Sequence, residues 1–284
     1  MGHFETSLTD DEFADQPVAR ERNRSYEFSE TRDLPMILAV RNATFVSYWQ
    51  LFEQLKALGT ETTRQGFSWR LNRLVDVRVV RKMAQIFPYR GPVYTITRAG
   101  LSCLEACGEG LASLTSESRS LPNELQAAHF LELGEIRSAL RRRRILKKWI
   151  SDVELKSLNL VMDAPLAKDY DAVAELTVNV VGEITMGIEF ERSVKSAARY
   201  REIVDLVKNE RQIDLLLLLA SSFDLVFQLK AVIRDLEFPI CVAQSRAFCK
   251  EPLLLQMHNT LDRDKLSLVE IGGMLDERSK PRHS

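Results

Sequence analysis

The sequence lacks any long apolar run. Its most continuous one, Ile213 and then Leu215 to Ala220 with Asp214 between, falls far short of the ~20 residues that a bilayer-crossing helix needs. No membrane partner is therefore expected, and the segment is predicted to be a buried strand. Cysteine is scarce: Cys103, Cys107, Cys241 and Cys249 are the four present in 284 residues. They form no secreted disulfide framework, and no charged-then-apolar leader opens the chain, which together predict a reducing, cytoplasmic setting. No Cys/His set has zinc spacing, no Gly-rich loop precedes a helix to cradle phosphate, and no Ser or Cys stands beside a His as a nucleophile would. Cys103 and Cys107 share one helical face and read as packed thiols, and His129 reads as a packed or capping histidine.

What is present is ordinary in amount and uneven in placement. At 45% hydrophobic and 28% charged residues, the chain has material for two modest cores. The formal net charge of −1 conceals the spread. Residues 1–35 hold four Arg against nine acids, residues 36–116 hold ten Lys or Arg against five acids, and Arg137 to Lys148 holds seven bases and no acid. An acidic tail ahead of a basic domain and a basic segment points toward nucleic acid.

Residues 1–31 are acidic, polar and without apolar period, which predicts a mobile arm. Over 32–107 the pattern turns helical. Leu34, Ile37, Leu38 and Val40 form a short face, Thr44 is expected to cap a second helix carrying Phe45, Tyr48, Trp49, Phe52 and Leu55, and Phe67, Leu71, Leu74 and Val75 mark a third. Two β-rich pieces, Val77 to Met83 and Pro92 to Thr97, flank a loop with Pro88, Arg90 and Gly91, and Thr97 can cap a further helix. The segment VYTITRAG, with Tyr94, Ile96, Thr97 and Gly100, resembles the strand-to-helix corner of many winged-helix DNA binders. The resemblance implies an N-terminal winged helix-turn-helix, mostly α with a β wing, whose third helix enters the major groove. Gln65, Ser68, Trp69, Asn72 and Arg73 fall away from that helix's apolar stripe, and Arg81, Lys82 and Arg90 lie on or near the wing. These are the candidate contacts to double-stranded DNA; the same residues would also make a solvated helix face and hairpin tip.

Residues 108–122, rich in Gly, Ser and Glu, read as a linker. Asn123 then caps a helix expected to reach Arg144 or beyond. Its end, Arg141, Arg142, Arg143 and Arg144 with Lys147 and Lys148, either binds phosphates or is a solvated terminus favoured by the helix dipole. A short helix carrying Glu154 and a short strand over Leu158 to Met162 follow. From Asp171 to Lys195 the period becomes two: Ala172, Ala174, Leu176, Val178, Ile184, Met186 and Ile188 face one way, and Asp171, Glu175, Glu189 and Glu191 the other. If the two strands pair with Glu175 and Glu189 on one face, opposed residue numbers must sum to an even value. A helix over 193–208, a strand over 213–220, a helix over 223–234 and a strand over 240–244 complete a domain of 123–249, and 250–284 reads as a weakly amphipathic extension.

The order helix, three strands, helix, strand, with an acid opening the second strand and E-x-E ending the third, is similar to the PD-(D/E)XK nuclease-like superfamily. It implies a restriction-endonuclease-like αβββαβ domain with a mixed sheet, so the fold class is α/β overall. By that resemblance Asp171 is the strand acid, Glu189 the first acid of the pair and Glu154 the helix acid, the three holding Mg²⁺ or Mn²⁺ if the site is active. Glu191 stands where the superfamily has Lys, and Lys195 can supply the missing cation, so Asp171, Glu189, Glu191 and Lys195 are the candidate catalytic set. Lys195 is also spaced to pair with Glu191 at i, i+4. Over 32–220 the segments AAHFLEL, WISDVELKS, KDYDAVAEL and GIEFERSVKSAARY resemble the replication-relaxation family, with Tyr170-Asp171 in place of its usual Pro-Asp. That resemblance implies a DNA-binding accessory or regulatory protein of plasmid or mobile-element replication, relaxation or transfer, with plasmid replication or relaxosome proteins as partners. The alternatives are a metal-dependent endonuclease, and an interaction module in which the acidic strand face is merely wet and DNA plays no role.

Overall fold

The computed structural model describes residues 28–279, apart from 90, 119–120, 164, 179–181, 209, 211 and 263, and apart from the side chains of 276–279. Most of the expected acidic arm, residues 1–27, thus lies outside the described residues, as does Arg90.

Helix α1 (Asp33–Ala43) is closed by Thr44, whose φ of 62° is left-handed and stops the helix. The chain leaves it as a short strand, β1 (Phe45–Ser47), so the helix expected from Thr44 begins later. Its true cap is Ser47: Oγ accepts from the Gln50 amide and Gln50 Oε1 accepts from the Ser47 amide, the reciprocal box that opens α2 (Tyr48–Ala57). Thr63 caps α3 (Arg64–Asp76) in the simpler way. Strands β2 (Val80–Met83) and β3 (Val93–Ile96) follow, and Thr97 caps α4 (Arg98–Ala106). The three strands form an antiparallel sheet in the order β1-β3-β2. Gly100 is required here, since a Cβ would lie 2.3 Å from the Val79 carbonyl oxygen. Met36, Ile37, Leu51, Leu55, Phe67, Leu71, Leu74 and Ile96 make the core of this part.

The expected linker is not a free spacer. Leu114 is buried in that same core, the Ala112 amide donates to Ser157 Oγ at 2.8 Å, and Ser113 Oγ donates to the Val153 carbonyl at 2.8 Å. Asn123 caps only a single 3-10 turn, Glu124–Gln126, before α5 (Ala127–Arg142). Arg144 is left-handed (φ 58°) and turns the chain into β4 (Leu146–Ser151), which moves Lys147 and Lys148 from the expected helix end onto an edge strand. A second capping box, Ser151 with Glu154, opens α6 (Asp152–Val161). The helix thus runs through the apolar run at 158–161 that reads as a strand and ends at Met162, leaving Leu160 and Val161 exposed.

The remaining elements are β5 (Ala172–Thr177), β6 (Glu183–Glu191), α7 (Ala197–Val207), β7 (Leu215–Ala220), α8 (Phe223–Ile233), β8 (Ile240–Gln244), α9 (Ser245–Lys250), β9 (His258–Asn259) and α10 (Leu268–Ser279). The chain is α/β, with a six-stranded mixed sheet in the order β4-β5-β6-β7-β8-β9. β4, β5 and β6 are antiparallel neighbours, β6, β7 and β8 are parallel, and β9 closes the edge antiparallel. Ala172 opposes Ile188 and Thr177 opposes Glu183, the even sum that the hairpin parity requires.

Both faces of this sheet are covered. Ala172, Ala174, Leu176, Met186 and Ile188 pack with Ile136, Leu140, Phe248 and Ile271, while Val173, Leu216, Leu218 and Val242 pack with Tyr200, Val204 and Leu229. On the acidic face of the hairpin this cover is partial: Val173, Gly187, Glu189 and Glu191 are buried, Gly187 under the Tyr170 ring, whereas Glu175, Thr177, Glu183 and Thr185 toward the turn are exposed or half-buried. The C-terminal extension is also part of the fold: β9 pairs with β8, and Leu268 and Ile271 are fully buried. No helix among the described residues is long and apolar enough to cross a membrane.

Candidate functional site

Two strand ends meet at the candidate site. Asp171 immediately precedes β5 and Glu189 and Glu191 end β6, so the antiparallel register carries Asp171 to the Glu189-Phe190 segment. The Phe190 amide donates to Asp171 Oδ2 at 2.8 Å. From α5, His129 Nε2 stands 3.2 Å from Asp171 Oδ1, its ring packed against Phe190 with centroids 5.6 Å apart. Lys168, in the loop before β5, bonds to Glu189. Lys195, in the loop before α7, reaches both glutamates, with Nζ 2.5 Å from Glu191 Oε1 and 3.6 Å from Glu189 Oε2. The i, i+4 pairing expected for Lys195 is therefore made, although the residue precedes the helix rather than starting it. Glu189 and Glu191 are buried, only 6% and 5% exposed.

Such burial is tolerated because each carboxylate has a cationic partner. Burial would raise the Asp171 carboxyl, but the His129 bond, the Phe190 amide and Lys168 outweigh it and hold the group below its ordinary range. For Glu189 burial prevails: together with the nearby Asp171 charge it raises the carboxyl against the pull of Lys168 and Lys195. Burial disfavours protonated His129, yet Asp171, Glu189 and Asp152 raise its basicity above that of a free imidazole. Lys195 is likewise held charged, its burial outweighed by Glu191, Glu189 and Asp171. Three acids and three bases form one interlocked set.

This set does not fit a divalent cation as arranged. A hard ion of the Mg²⁺ kind takes oxygen donors, but the Asp171 oxygens face His129 and the Phe190 amide, and Glu189 is held by two lysines. Glu154, expected as the third ligand, is used elsewhere: Oε2 accepts from the Ser151 amide and hydroxyl, and Oε1 accepts from Asn42 at 2.8 Å. That is the consequence of its position as third residue of α6, where the capping box claims it. Among the described residues no group of three or more His, Cys, Asp or Glu is arranged to hold a metal ion. Two members of the set lie outside the residues expected there: Lys168, and His129, expected only as a packed or capping histidine. Lys168 has a legible signal, a base three residues ahead of the strand acid, whereas the partner of His129 has none.

The expected DNA-facing residues divide by what else they touch. Gln65, Trp69 and Asn72 are exposed on the outer side of α3, and Lys82 is exposed on β2. Arg64, at the first position of α3, stacks over Trp49 at 4.6 Å. Ser68 is half-buried, its hydroxyl 2.6 Å from Tyr48 Oη. Arg73 covers the Trp69 ring at 4.8 Å and pairs at 3.1 Å with Asp33, a fully buried acid that also holds Arg70. Arg81 pairs with Glu124 at 2.7 Å. The β2–β3 loop lies down on α5: Tyr89 Oη donates to Glu132 at 2.6 Å, and Met83, Ile86 and Tyr89 pack with Ala127 and Leu131. The arginine run is split. Arg141 donates to the Gln54 carbonyl at 3.3 Å, Arg143 donates to the Lys250 carbonyl at 2.8 Å, and Arg142 and Arg144 turn toward a pocket between α2 and α5. Comparison of the chain with protein-family models, with curated proteins and with solved structures found no match.

Proposed function

We propose that the chain is a duplex-DNA-binding accessory or regulatory protein, of the kind that serves plasmid or mobile-element replication, relaxation or transfer. The observation that carries this is the element order α1-β1-α2-α3-β2-β3-α4 with its β1-β3-β2 sheet, which is the order of a winged helix, together with the exposed outer side of α3. In such a fold α3 enters the major groove, where Gln65 and Asn72 have the amide groups that read base edges and Arg64 and Lys82 carry charge for phosphates. The β2–β3 loop packs on α5 and contributes little to contact.

The larger sheet, with β4-β5-β6 antiparallel and β7 parallel to β6, supports a restriction-endonuclease-like domain. Its acids are matched one for one by His129, Lys168 and Lys195, which supports a scaffold of weak or lost activity. A second reading, an endonuclease, draws on the juxtaposition of Asp171 and Glu189 with Lys195 beside them.

One experiment addresses both. Anisotropy titrations with duplex DNA across a salt series are expected to give salt-dependent binding. The Gln65→Ala/Asn72→Ala/Lys82→Ala variant is expected to bind about tenfold more weakly, a loss of ~1.4 kcal/mol, with a salt slope shallower by about one. Equal affinity would overturn the assignment of α3. Incubation of the same duplexes with Mg²⁺ or Mn²⁺ is expected to leave them uncut; cleavage that disappears in Asp171→Ala/Glu189→Ala would establish the second reading.

A further inference from the structure

A pocket of about 260 Å³ opens where α2, α5 and β4 meet, away from the outer side of α3. One wall is apolar, made by Val46, Phe130, Leu133 and Trp149. The other is built from guanidinium groups: Arg137 and Arg141 are half-buried, and Arg142 and Arg144 are exposed at the rim. Among the described residues none of these four is in an ion pair with a carboxylate. Arg137 Nη1 and Arg141 Nη1 donate to the side chain and carbonyl of Gln54, at 3.1 and 3.3 Å, and Arg137 Nε is buried without a hydrogen-bond partner. The Arg137 guanidinium lies 5.9 Å from the Trp149 ring centroid. Acids lie on the lining too, but two are committed: Asp152 to Lys156 at 2.8 Å and Asp171 to His129 at 3.2 Å; the third, Glu53, is exposed.

Four like charges around one concavity repel one another, and a buried donor without a partner is destabilising. Burial and the nearby Arg141 charge together push Arg137 down to about 10, against the weaker pull of Glu154. A ligand with an anionic end would relieve both costs, and guanidinium forks match phosphate oxygens in pairs. The apolar wall with its indole suits a flat ring beside that anion. The volume lies just below the usual range for ligand sites, which limits the occupant to a small molecule or a single residue of a polymer and excludes a duplex.

We infer that this pocket binds a single nucleotide, with the base against Trp149 and the apolar wall and the phosphate on Arg137, Arg141, Arg142 and Arg144. The nucleotide is either a free nucleoside monophosphate or the phosphorylated end of a DNA strand; the recognising chemistry is the same. The pocket reaches Asp171 at its far side, so an occupant would also lie beside the carboxylate and lysine set. This site stands independently of duplex binding by α3.

Calorimetry of the full chain tests it with AMP, dTMP, the corresponding nucleosides, inorganic phosphate, and single-stranded oligonucleotides with and without a 5′-phosphate. Binding of a monophosphate at least tenfold tighter than of its nucleoside is expected, and so is the same preference among the oligonucleotides if the source is a strand end. The variant Arg142→Gln/Arg144→Asn weakens that binding at least tenfold. It changes only exposed side chains, and Asn tolerates the left-handed backbone at 144. The Gln65→Ala/Asn72→Ala/Lys82→Ala variant keeps nucleotide binding unchanged, which separates this site from the DNA-binding face. If neither a monophosphate nor a phosphorylated oligonucleotide binds, or if binding ignores the phosphate or the Arg142/Arg144 replacements, the assignment is wrong.

Discussion

His129 and Asp171 are joined across more than forty positions of sequence by one contact of 3.2 Å. The signs of their shifts set opposite pH limits. His129 is more basic in the folded chain than an ordinary imidazole, so its contribution to stability is complete below the unfolded-state value, near 6.5, and is lost as pH rises through the folded value. Asp171 is more acidic than an ordinary carboxyl, so its contribution is present above the unfolded value and is lost as pH falls through the folded one. The pair is strongest between those limits. An NMR titration is expected to give a His129 midpoint above the free-imidazole value that drops in Asp171→Asn. A midpoint indifferent to that substitution would show that the contact carries no charge coupling. Neither residue type nor spacing announces this pairing in the sequence, because it depends on α5 crossing over the ends of β5 and β6.

The pairing of β5 with β6 was legible as an element, down to its parity, because apolar residues alternate through it. What the alternation concealed is the second covered face, since Val173 and Gly187 occupy positions that look outward. Gly187 lies directly beneath Tyr170: a Cβ there would stand 2.6 Å from the ring. Gly187→Ala is expected to destabilise the chain by ~1–3 kcal/mol through overpacking, read as a lower urea midpoint at unchanged slope. An unaltered midpoint would mean that the ring moves aside freely. Two other elements depart from their local sequence pattern. β1 is three residues long and exists as a strand only because β3 completes it, and the 158–161 run has strand-like residues but follows a capping box that drives a helix through it. Local pattern loses to tertiary pairing in the first case and to capping in the second.

At the scale of the whole molecule, the two cores are bound by named contacts rather than by chain continuity alone. Gln50 is the central one: besides closing the cap of α2, its Nε2 donates to the Leu131 carbonyl at 2.8 Å and to Glu135 at 2.9 Å. Gly134 admits it, because a Cβ there would lie 2.9 Å from the Gln50 amide. Asn42 with Glu154 and Tyr89 with Glu132 add two further ties. Urea unfolding is expected to be a single transition, coincident by tryptophan fluorescence and circular dichroism, and Gln50→Ala is expected to lower stability by about 2 kcal/mol. Two separated transitions in the unaltered chain would mean that the ties do not couple the cores. The division into two α-helix-bearing sheets was legible from charge and period. The ties were not, because a glutamine in an amphipathic helix has the same appearance whether it faces water or another core.

The packing of the β2–β3 loop on α5 bears on how much sequence information a DNA-reading role can draw. Glu132 divides its two oxygens between Tyr89 of that loop and Ser245 at the head of α9, each at 2.6 Å, so the acceptor that holds the loop is itself fixed by the larger domain. On the proposed reading, a loop held down in this way leaves base reading mainly to α3, and one helix offers three or four side chains to a few base pairs. Each discriminated base pair yields about 1–3 kcal/mol, whereas picking out one address among the sites of a genome takes about 4–10 kcal/mol. On that reading a single copy would sit at the lower edge of useful selectivity, and a unique address would call for a repeated recognition site read by two copies or for a companion protein that supplies the remaining discrimination.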